Sequence, residues 1–428
     1  MSGSTHVPSG RFARLAGLAG VGARVGLGAI RGAVSEGAAN HAAEVLGNLR
    51  GLAAKVGQLA SYVDGLVPDD GSGAAQGALA RLRDRAASSP FPAVKGVVEA
   101  ELGAPLGELF VSFEEVSFAS ASIGQVHRAR LDDGREVAVK VQHPGVDAAI
   151  ESDLASASML EPLAALAGGG KLDARQIFDE LATRFREELD YGLEAERQTQ
   201  FAALHAGDPR IVVPAVVRER SARRVLTSEL VRGRSLEEVA TAPEAERAAY
   251  ARTLWRYVFK GNLVGGMFNA DPHPGNYLFG DDGRIAFVDY GCVEPIRPER
   301  LVLARELHRA AVRRDESAFR ERARAILGTN PGPWEDQAIA YSRRCFEPLF
   351  ASPYRITRDY AGSLVTELRA MALSARKLPR GEVVPMPRGM LFMNRLQAGF
   401  YSVLARLDAE VDYAEVERWF LEEAGLEA

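Results

Sequence analysis

The reading of the fold rests on Asn269-Ala-Asp-Pro-His-Pro-Gly-Asn276, followed by Tyr-Leu-Phe279, Gly-Asp-Asp-Gly283, Arg-Ile-Ala-Phe-Val288 and Asp-Tyr-Gly291. Pro272, Pro274 and Gly275 stop both helix and ladder pairing, so the first segment is a loop. The apolar runs Tyr277 to Phe279 and Arg284 to Val288 flank a turn containing Asp282-Gly283, the pattern of a β-hairpin. Antiparallel pairing then sets Asn276 beside Asp289, with Asp271 about one loop-width away. An amide oxygen and a carboxylate held together are hard ligands, of the kind Mg²⁺ (or Mn²⁺) takes along with substrate phosphates. The competing reading is that Asp-Pro, Pro-Gly and Asp-Gly only punctuate two surface turns.

The 428 residues suffice for a two-lobed enzyme or for two to three domains. Fifty-two basic and 57 acidic side chains give a net charge of -5, so no overall positive field argues for nucleic acid as a partner. Cys292 and Cys345 are too few and too far apart for a zinc framework, and a cytoplasmic, reducing setting is the default. Only six of the basic residues are Lys, so each Lys is informative.

Residues 1–10 are small and polar and are expected to be disordered. Residues 11–33 place Arg11, Arg14, Arg24 and Arg31 on one half of a helix among small and aliphatic residues. Their uncharged runs are too short to span a bilayer. An interfacial helix is permitted, against a soluble helix packed on its own domain. From Asn40 to Leu66 the positions Val45, Leu49, Leu52, Val56, Leu59 and Val63 predict an amphipathic helix that ends before Pro68. Gly47, Gly51, Lys55, Gln58 and Tyr62 form a second stripe, where missing side chains admit something close to Lys55 and Gln58. A solvated lysine on a helix flank is the plainer reading.

Further along, Ala119-Ser-Ala-Ser122 contains only small residues before a strand. A turn at Asp132-Asp-Gly134 leads to Glu136-Val-Ala-Val-Lys-Val-Gln142, where Val137, Val139 and Val141 alternate with Lys140 and put it on the opposite face. Residues 173–201 predict one helix dense in acids, with Glu187, Asp190 and Glu194 on one face and Glu188 pointing elsewhere. A strand over Leu226 to Val231 follows. From 296 to 405 the chain reads as a helical body with an apolar seam at Met390, Leu391, Met393 and Leu396, and with His308 solvated on a charged helix.

Asp271, then Asn276, a hairpin and Asp289-Tyr-Gly resembles the catalytic loop and metal-binding Asp-Phe-Gly of the protein-kinase-like fold. Ala270 stands where such kinases have Arg, and Tyr290 replaces Phe. The resemblance implies that Asp271 handles an acceptor proton while Asn276 and Asp289 hold the metal. It implies that Lys140 reaches the α and β phosphates beneath a loop of Ala119, Ser120, Ala121 and Ser122, and that Glu194 pairs with Lys140. The backbone from Glu229 to Val231 falls where an interlobe hinge meets adenine.

Lys55-Val-Gly-Gln58, Ala119-Ser-Ala-Ser-Ile-Gly-Gln125, Val137-Ala-Val-Lys140, Glu188-Leu-Asp190, Glu194-Ala195, Ala270-Asp-Pro-His-Pro-Gly-Asn276 and Asp289-Tyr-Gly291, in this order, resemble the ABC1/AarF/UbiB (ADCK) atypical kinases. The resemblance covers roughly residues 10–405 and implies an α+β, two-lobed protein-kinase-like fold with an N-terminal helical extension. The expected divisions are an arm over 1–40, the extension over 41–115, an N-lobe over 116–230 and a C-lobe over 231–428. Lys55 and Gln58 would cover the active site, with Lys55 facing Glu188 and Asp190. ATP or ADP with a divalent metal is implied, in a role near isoprenoid-lipid or quinone biosynthesis. Ser120 interrupts the family's usual alanine run. Many bacterial relatives carry C-terminal membrane spans, whereas Tyr401 to Ala428 is acidic, so membrane contact is expected to be peripheral, through residues 11–33. Two other functions fit the same residues: a nucleotide-gated, non-catalytic scaffold for lipid or biosynthetic partners, and an aminoglycoside- or choline-phosphotransferase-like small-molecule kinase.

Overall fold

The computed structural model describes residues 88–158, 174–281, 283–375 and 387–426. The expectations for the basic arm, for the helix over 40–66, and hence for Lys55 and Gln58, lie outside the described residues.

Helix α1 (Phe91–Leu102) has Pro in its first turn and stops at Gly103, whose φ of 72° closes a left-handed cap. Its Val94, Val97 and Val98 share one face and are buried. They lie against an antiparallel sheet of β1 (Ser112–Phe113), β2 (Ala119–Ala121), β3 (Gly124–Arg130), β4 (Glu136–Gln142) and, later in the chain, Val225–Glu229. The strand order is β1-β3-β4 and then Val225–Glu229, with β2 also on β3. Val137, Val139 and Val141 of β4 are fully buried in the cluster with α1. Each such valine contributes roughly 1.5 to 3 kcal/mol. Lys140 occupies the other face of the same strand. Residues 91–113 pack into this sheet, although from the sequence they grouped with the helical extension.

Helices α2 (Val146–Ser158), α3 (Ala174–Glu188) and α4 (Tyr191–His205) follow. The single helix expected over 173–201 is thus two. Asp190 is extended at the break, and its carboxylate accepts from the N–H groups of Gly192 and Leu193, which caps α4 and competes with helix continuation. The break also re-aims the acids. Glu187 pairs with Arg184 and Arg197, and it is Glu188 that turns toward the site.

Strand β5 (Ile211–Val212), β6 (Val225–Glu229) and α5 (Glu244–Lys260) lead to a π turn over Gly261–Gly265. Next come β7 (Met267–Asn269), β8 (Tyr277–Phe279), β9 (Ile285–Phe287) and β10 (Val293–Pro295). The expected hairpin is β8 and β9, antiparallel with Tyr277 opposite Phe287, and β5 joins β9 in parallel. Strands β7 and β10 pair with Asn269 opposite Val293. The loops after β7 and after β9 therefore emerge side by side.

A helical body completes the chain: α6 (Pro298–Val312), α7 (Glu316–Leu327), α8 (Pro333–Cys345), α9 (Arg358–Ala375), α10 (Met390–Leu407) and α11 (Tyr413–Glu423). Trp255, Tyr250, Phe287, Phe400 and Tyr413 anchor its core. His308, read as solvated, is buried instead, with Nδ1 2.6 Å from Glu417 Oε2. Glu417 also accepts from Trp255 Nε1 at 3.0 Å, so α11 covers α6 and supplies the partner that burial requires. No helix among the described residues is long and apolar enough to cross a membrane.

Candidate active site

The two loops are tied by Asn269. Its Nδ2 donates to the carbonyl of Asp289 at 2.8 Å, and its Oδ1 accepts from the Asp271 N–H at 3.0 Å. Asp289 has φ 76°, a left-handed conformation that Asp tolerates at a cost of order 1 kcal/mol. The Asn269 bond and a bond from Gly291 N–H to Asp289 Oδ1, at 3.0 Å, hold it there. Asn276 ends a turn of 3₁₀ helix, and its Nδ2 donates to the Asp271 carbonyl at 3.2 Å and to Asp271 Oδ2 at 3.4 Å. The amide oxygen of Asn276 is thereby turned to the side away from Asp271.

Above this pair stands Lys140. Its Nζ lies 2.8 and 3.0 Å from the two oxygens of Glu194, 3.4 Å from Asp289 Oδ2, and 5.0 Å from the centre of the Tyr191 ring. Burial opposes the charge on Lys140, but Asp289 and Glu194 outweigh it and push the pKa well above the usual lysine range. Burial pushes Glu194 up, and Lys140 counters it. Glu194 also accepts from the Tyr290 N–H at 3.3 Å. Tyr290 can replace Phe because its hydroxyl donates to the Phe287 carbonyl at 3.1 Å inside the core. A Cβ on Gly291 would lie 3.3 Å from Asp289 Oδ1 and 3.6 Å from Glu194 Oε2, so this position is where the loop passes close under the acids.

The small-residue stretch is a tight hairpin of β2 and β3, pairing Ser120 with Gln125 and Ala121 with Gly124. At Gly124 a side chain would collide with the Val141 carbonyl, so the hairpin lies flat on β4. Ser122 Oγ at the tip donates to Glu188 Oε1. In the segment from Glu229 to Val231, the N–H of Glu229 is bonded to the Ala215 carbonyl and that of Leu230 to the Glu136 carbonyl. Asp190 uses Oδ1 as the helix cap.

The sequence reading missed Arg395. From α10 its Nη2 reaches Asp271 Oδ1 at 2.6 Å, and its side chain is almost wholly buried. One turn on, Gly399 packs against Pro272, where a Cβ would come within 2.5 Å of Pro272 Cγ. The available signals were a lone arginine inside an apolar seam and the absence of one at Ala270.

Residues 81–323 match the family model of the ABC1 atypical kinase-like domain. The chain belongs to the ABC1 family. It is 37% identical over 222 residues to an uncharacterized chloroplastic aarF domain-containing protein kinase of Arabidopsis thaliana, covering 52% of this chain and 31% of that protein. It is 30% identical to the mitochondrial atypical kinase COQ8B of Rattus norvegicus, over 95% of this chain and 79% of that one. The chain spans half or less of the length of several of these relatives, among them an uncharacterized Mycobacterium tuberculosis protein at 36% identity. Among solved structures, the Rv3197–erythromycin complex of Mycobacterium tuberculosis aligns with a TM-score of 0.62 at 31% identity, covering 90% of this chain and 95% of that one. The ABC1 fold is kinase-like, with the sheet around Lys140 facing the two loops that carry Asp271, Asn276 and Asp289.

Proposed function

We propose that this ABC1 protein is an Mg²⁺-dependent ATPase or phosphotransferase that supports isoprenoid-lipid or quinone biosynthesis from a peripheral position at a membrane. The observation that carries the proposal is Lys140 Nζ held between Glu194 and Asp289, at 2.8 and 3.4 Å. A fixed ammonium next to a carboxylate and an amide oxygen suits phosphate oxygens on one side and a divalent ion on the other. The donor set fits Mg²⁺: Asn276 and Asp289 offer two hard oxygens, and Mg²⁺ takes its remaining positions from water and phosphate. Among the described residues there is no cluster of three or more acidic, His or Cys ligands, as a dedicated protein cage would need. When bound, the ion supplies neutralisation of the β and γ phosphate charge.

In this reading Glu194 keeps Lys140 extended, the Ser122 tip closes over the phosphates, and Val231 meets the base. Asp271 receives or orients the acceptor proton, its carboxylate aimed by Arg395. The test is Mg-ATP turnover by the full chain, with and without liposomes. Asp289→Asn is expected to lower turnover about a hundredfold, roughly 3 kcal/mol of transition-state stabilisation. Unaltered turnover in that variant rejects the proposal.

A second reading, a nucleotide-gated scaffold, is favoured by one feature. Asp271 Oδ1 is engaged by Arg395 and Oδ2 faces Asn276, so the carboxylate is already occupied. Nucleotide binding with no phosphorylated or hydrolysed product under any lipid condition would select it.

A further inference from the structure

Tyr191 is the first residue of α4, three positions before Glu194, so the two side chains share a face of that helix. Both meet Lys140. The centre of the Tyr191 ring lies 5.0 Å from Lys140 Nζ, within the range at which the negative face of an aromatic ring attracts an ammonium. The same nitrogen takes Glu194 at 2.8 and 3.0 Å and Asp289 at 3.4 Å.

The ring is pinned where it stands. Its backbone N–H donates to the Arg223 carbonyl at 2.8 Å, and the side chain is fully buried with Ile123, Ala195 and Leu226. Leu226 is the strand neighbour of Lys140, and Ile123 stands in the turn between β2 and β3. At the far end of the ring, a Cβ on Gly124 would lie 2.9 Å from the Tyr191 hydroxyl oxygen, so the hairpin rests on the phenol. The hydroxyl does no pairing. Its oxygen is buried with no hydrogen-bond partner among the described residues, and burial pushes the phenol well above the usual tyrosine range, so it stays neutral. What the side chain contributes is a ring face and a shape.

Two carboxylates fix the charge of Lys140 but not its direction. They draw the ammonium toward themselves, and Asp289 is a candidate metal ligand. When a divalent ion engages Asp289, the pull of that carboxylate on Lys140 falls, whereas the pull of a neutral ring does not. The ring is therefore the restraint that persists, and 15% of the lysine side chain is left exposed for the cleft. We propose that Tyr191 is a positioning residue for nucleotide phosphates: its ring face aims the Lys140 ammonium and its phenol end supports the hairpin of β2 and β3. This rests on the proposed function, in which Lys140 and that hairpin meet the phosphates.

The test is the affinity of the full chain for Mg-ADP and for adenosine by calorimetric titration, which needs no turnover. Adenosine lacks the phosphates and reports the base site alone. Tyr191→Phe keeps the ring and is expected to bind both ligands within about twofold of the unaltered chain. Tyr191→Leu removes the ring face and is expected to weaken Mg-ADP about tenfold with adenosine unchanged. Because leucine leaves a gap in the core, position 191 is also filled with a trifluorinated phenylalanine. That side chain keeps nearly the shape of phenylalanine, while its fluorines drain the negative face of the ring. Its Mg-ADP affinity should fall below that of Tyr191→Phe, which a packing role would not produce, and this comparison holds even where Tyr191→Leu does not fold. Equal Mg-ADP affinity of the fluorinated and Tyr191→Phe chains overturns the proposal, as does an equal loss of adenosine and Mg-ADP in Tyr191→Leu. An unaltered chain that binds no Mg-ADP overturns the proposed function and this proposal together; one that binds it, with variants that do not separate, overturns this proposal alone.

Discussion

Arg395 lies 124 residues after Asp271 in sequence, yet its Nη2 is 2.6 Å from the Asp271 carboxylate, so the guanidinium that Ala270 does not provide arrives from helix α10. Arg395 is buried and cannot lose its proton, while Asp271 remains partly exposed toward the cleft. The pair fixes the direction of the carboxylate, which makes Arg395 a positioning residue. Arg395→Ala should lower kcat for ATP turnover at least about tenfold, near 1.4 kcal/mol, with KM for ATP changed little. Arg395→Lys should recover only part, because an ammonium lacks the planar fork. Steady-state kinetics check this; equal losses in kcat and in the fraction folded would make the role structural only.

Gly399 offers a sharper sign test. Gly→Ala inside a helix ordinarily stabilises by about 1 kcal/mol. Here the new methyl would sit 2.5 Å from Pro272 Cγ, and overpacking of that kind costs roughly 1 to 3 kcal/mol. Gly399→Ala is therefore expected to lower Tm and to reduce kcat by displacing the Asp271 loop. A rise in Tm with normal turnover would show that the contact is relieved without consequence.

Local chemistry made the hairpin of β8 and β9 and the face of Lys140 legible in the sequence, since each depends on a period of two or a turn residue close by, whereas the pairing of Lys140 with Glu194 was implied by the resemblance to kinases and not by local pattern. What was not legible depended on breaks and on distance. The helix over 173–201 looked continuous because Leu189 carries no break signal and Asp190 reads as one more acid in a charged run. Once Asp190 caps α4, the facing acid becomes Glu188 and not Glu187. His308 was misjudged and Arg395 missed for one reason: their partners, Glu417 and Asp271, are more than a hundred residues away, and helical periodicity says nothing of what another helix brings. Asn269 was passed over as the start of a loop, although its two amide atoms bind both loops together.

Glu194→Gln tests the cluster at Lys140. The amide keeps the shape but removes the charge, and Lys140 is then left with Asp289 as its near carboxylate, at 3.4 Å. Drawing Lys140 onto a candidate metal ligand should raise the Mg²⁺ concentration needed for half-maximal turnover and lower kcat on the order of a hundredfold. The double variant with Lys140→Met should be scarcely worse than Lys140→Met alone, because the two residues act as one unit. Additive losses in a double-mutant cycle would contradict that coupling.

The acid side of the stability curve should carry the mark of His205. Its ring is 2% exposed, stacked on Tyr257 at 5.0 Å, and both ring nitrogens lack hydrogen-bond partners among the described residues. Burial lowers its pKa to about 4, helped by Lys260 and Arg256 and opposed by Asp208. The unfolded chain binds this proton near pH 6.5 and the folded chain only near pH 4. Its stabilising effect is therefore fully present above pH 6.5 and is lost as pH falls toward 4. Between pH 7 and pH 5 the folded state should lose about 2 kcal/mol from this residue. Urea unfolding at both pH values, compared with His205→Phe, reads that share. The variant should be flatter over this interval by a similar amount, because an aromatic ring keeps the stack and has no proton to take up; an unchanged slope would mean that His205 titrates alike in both states.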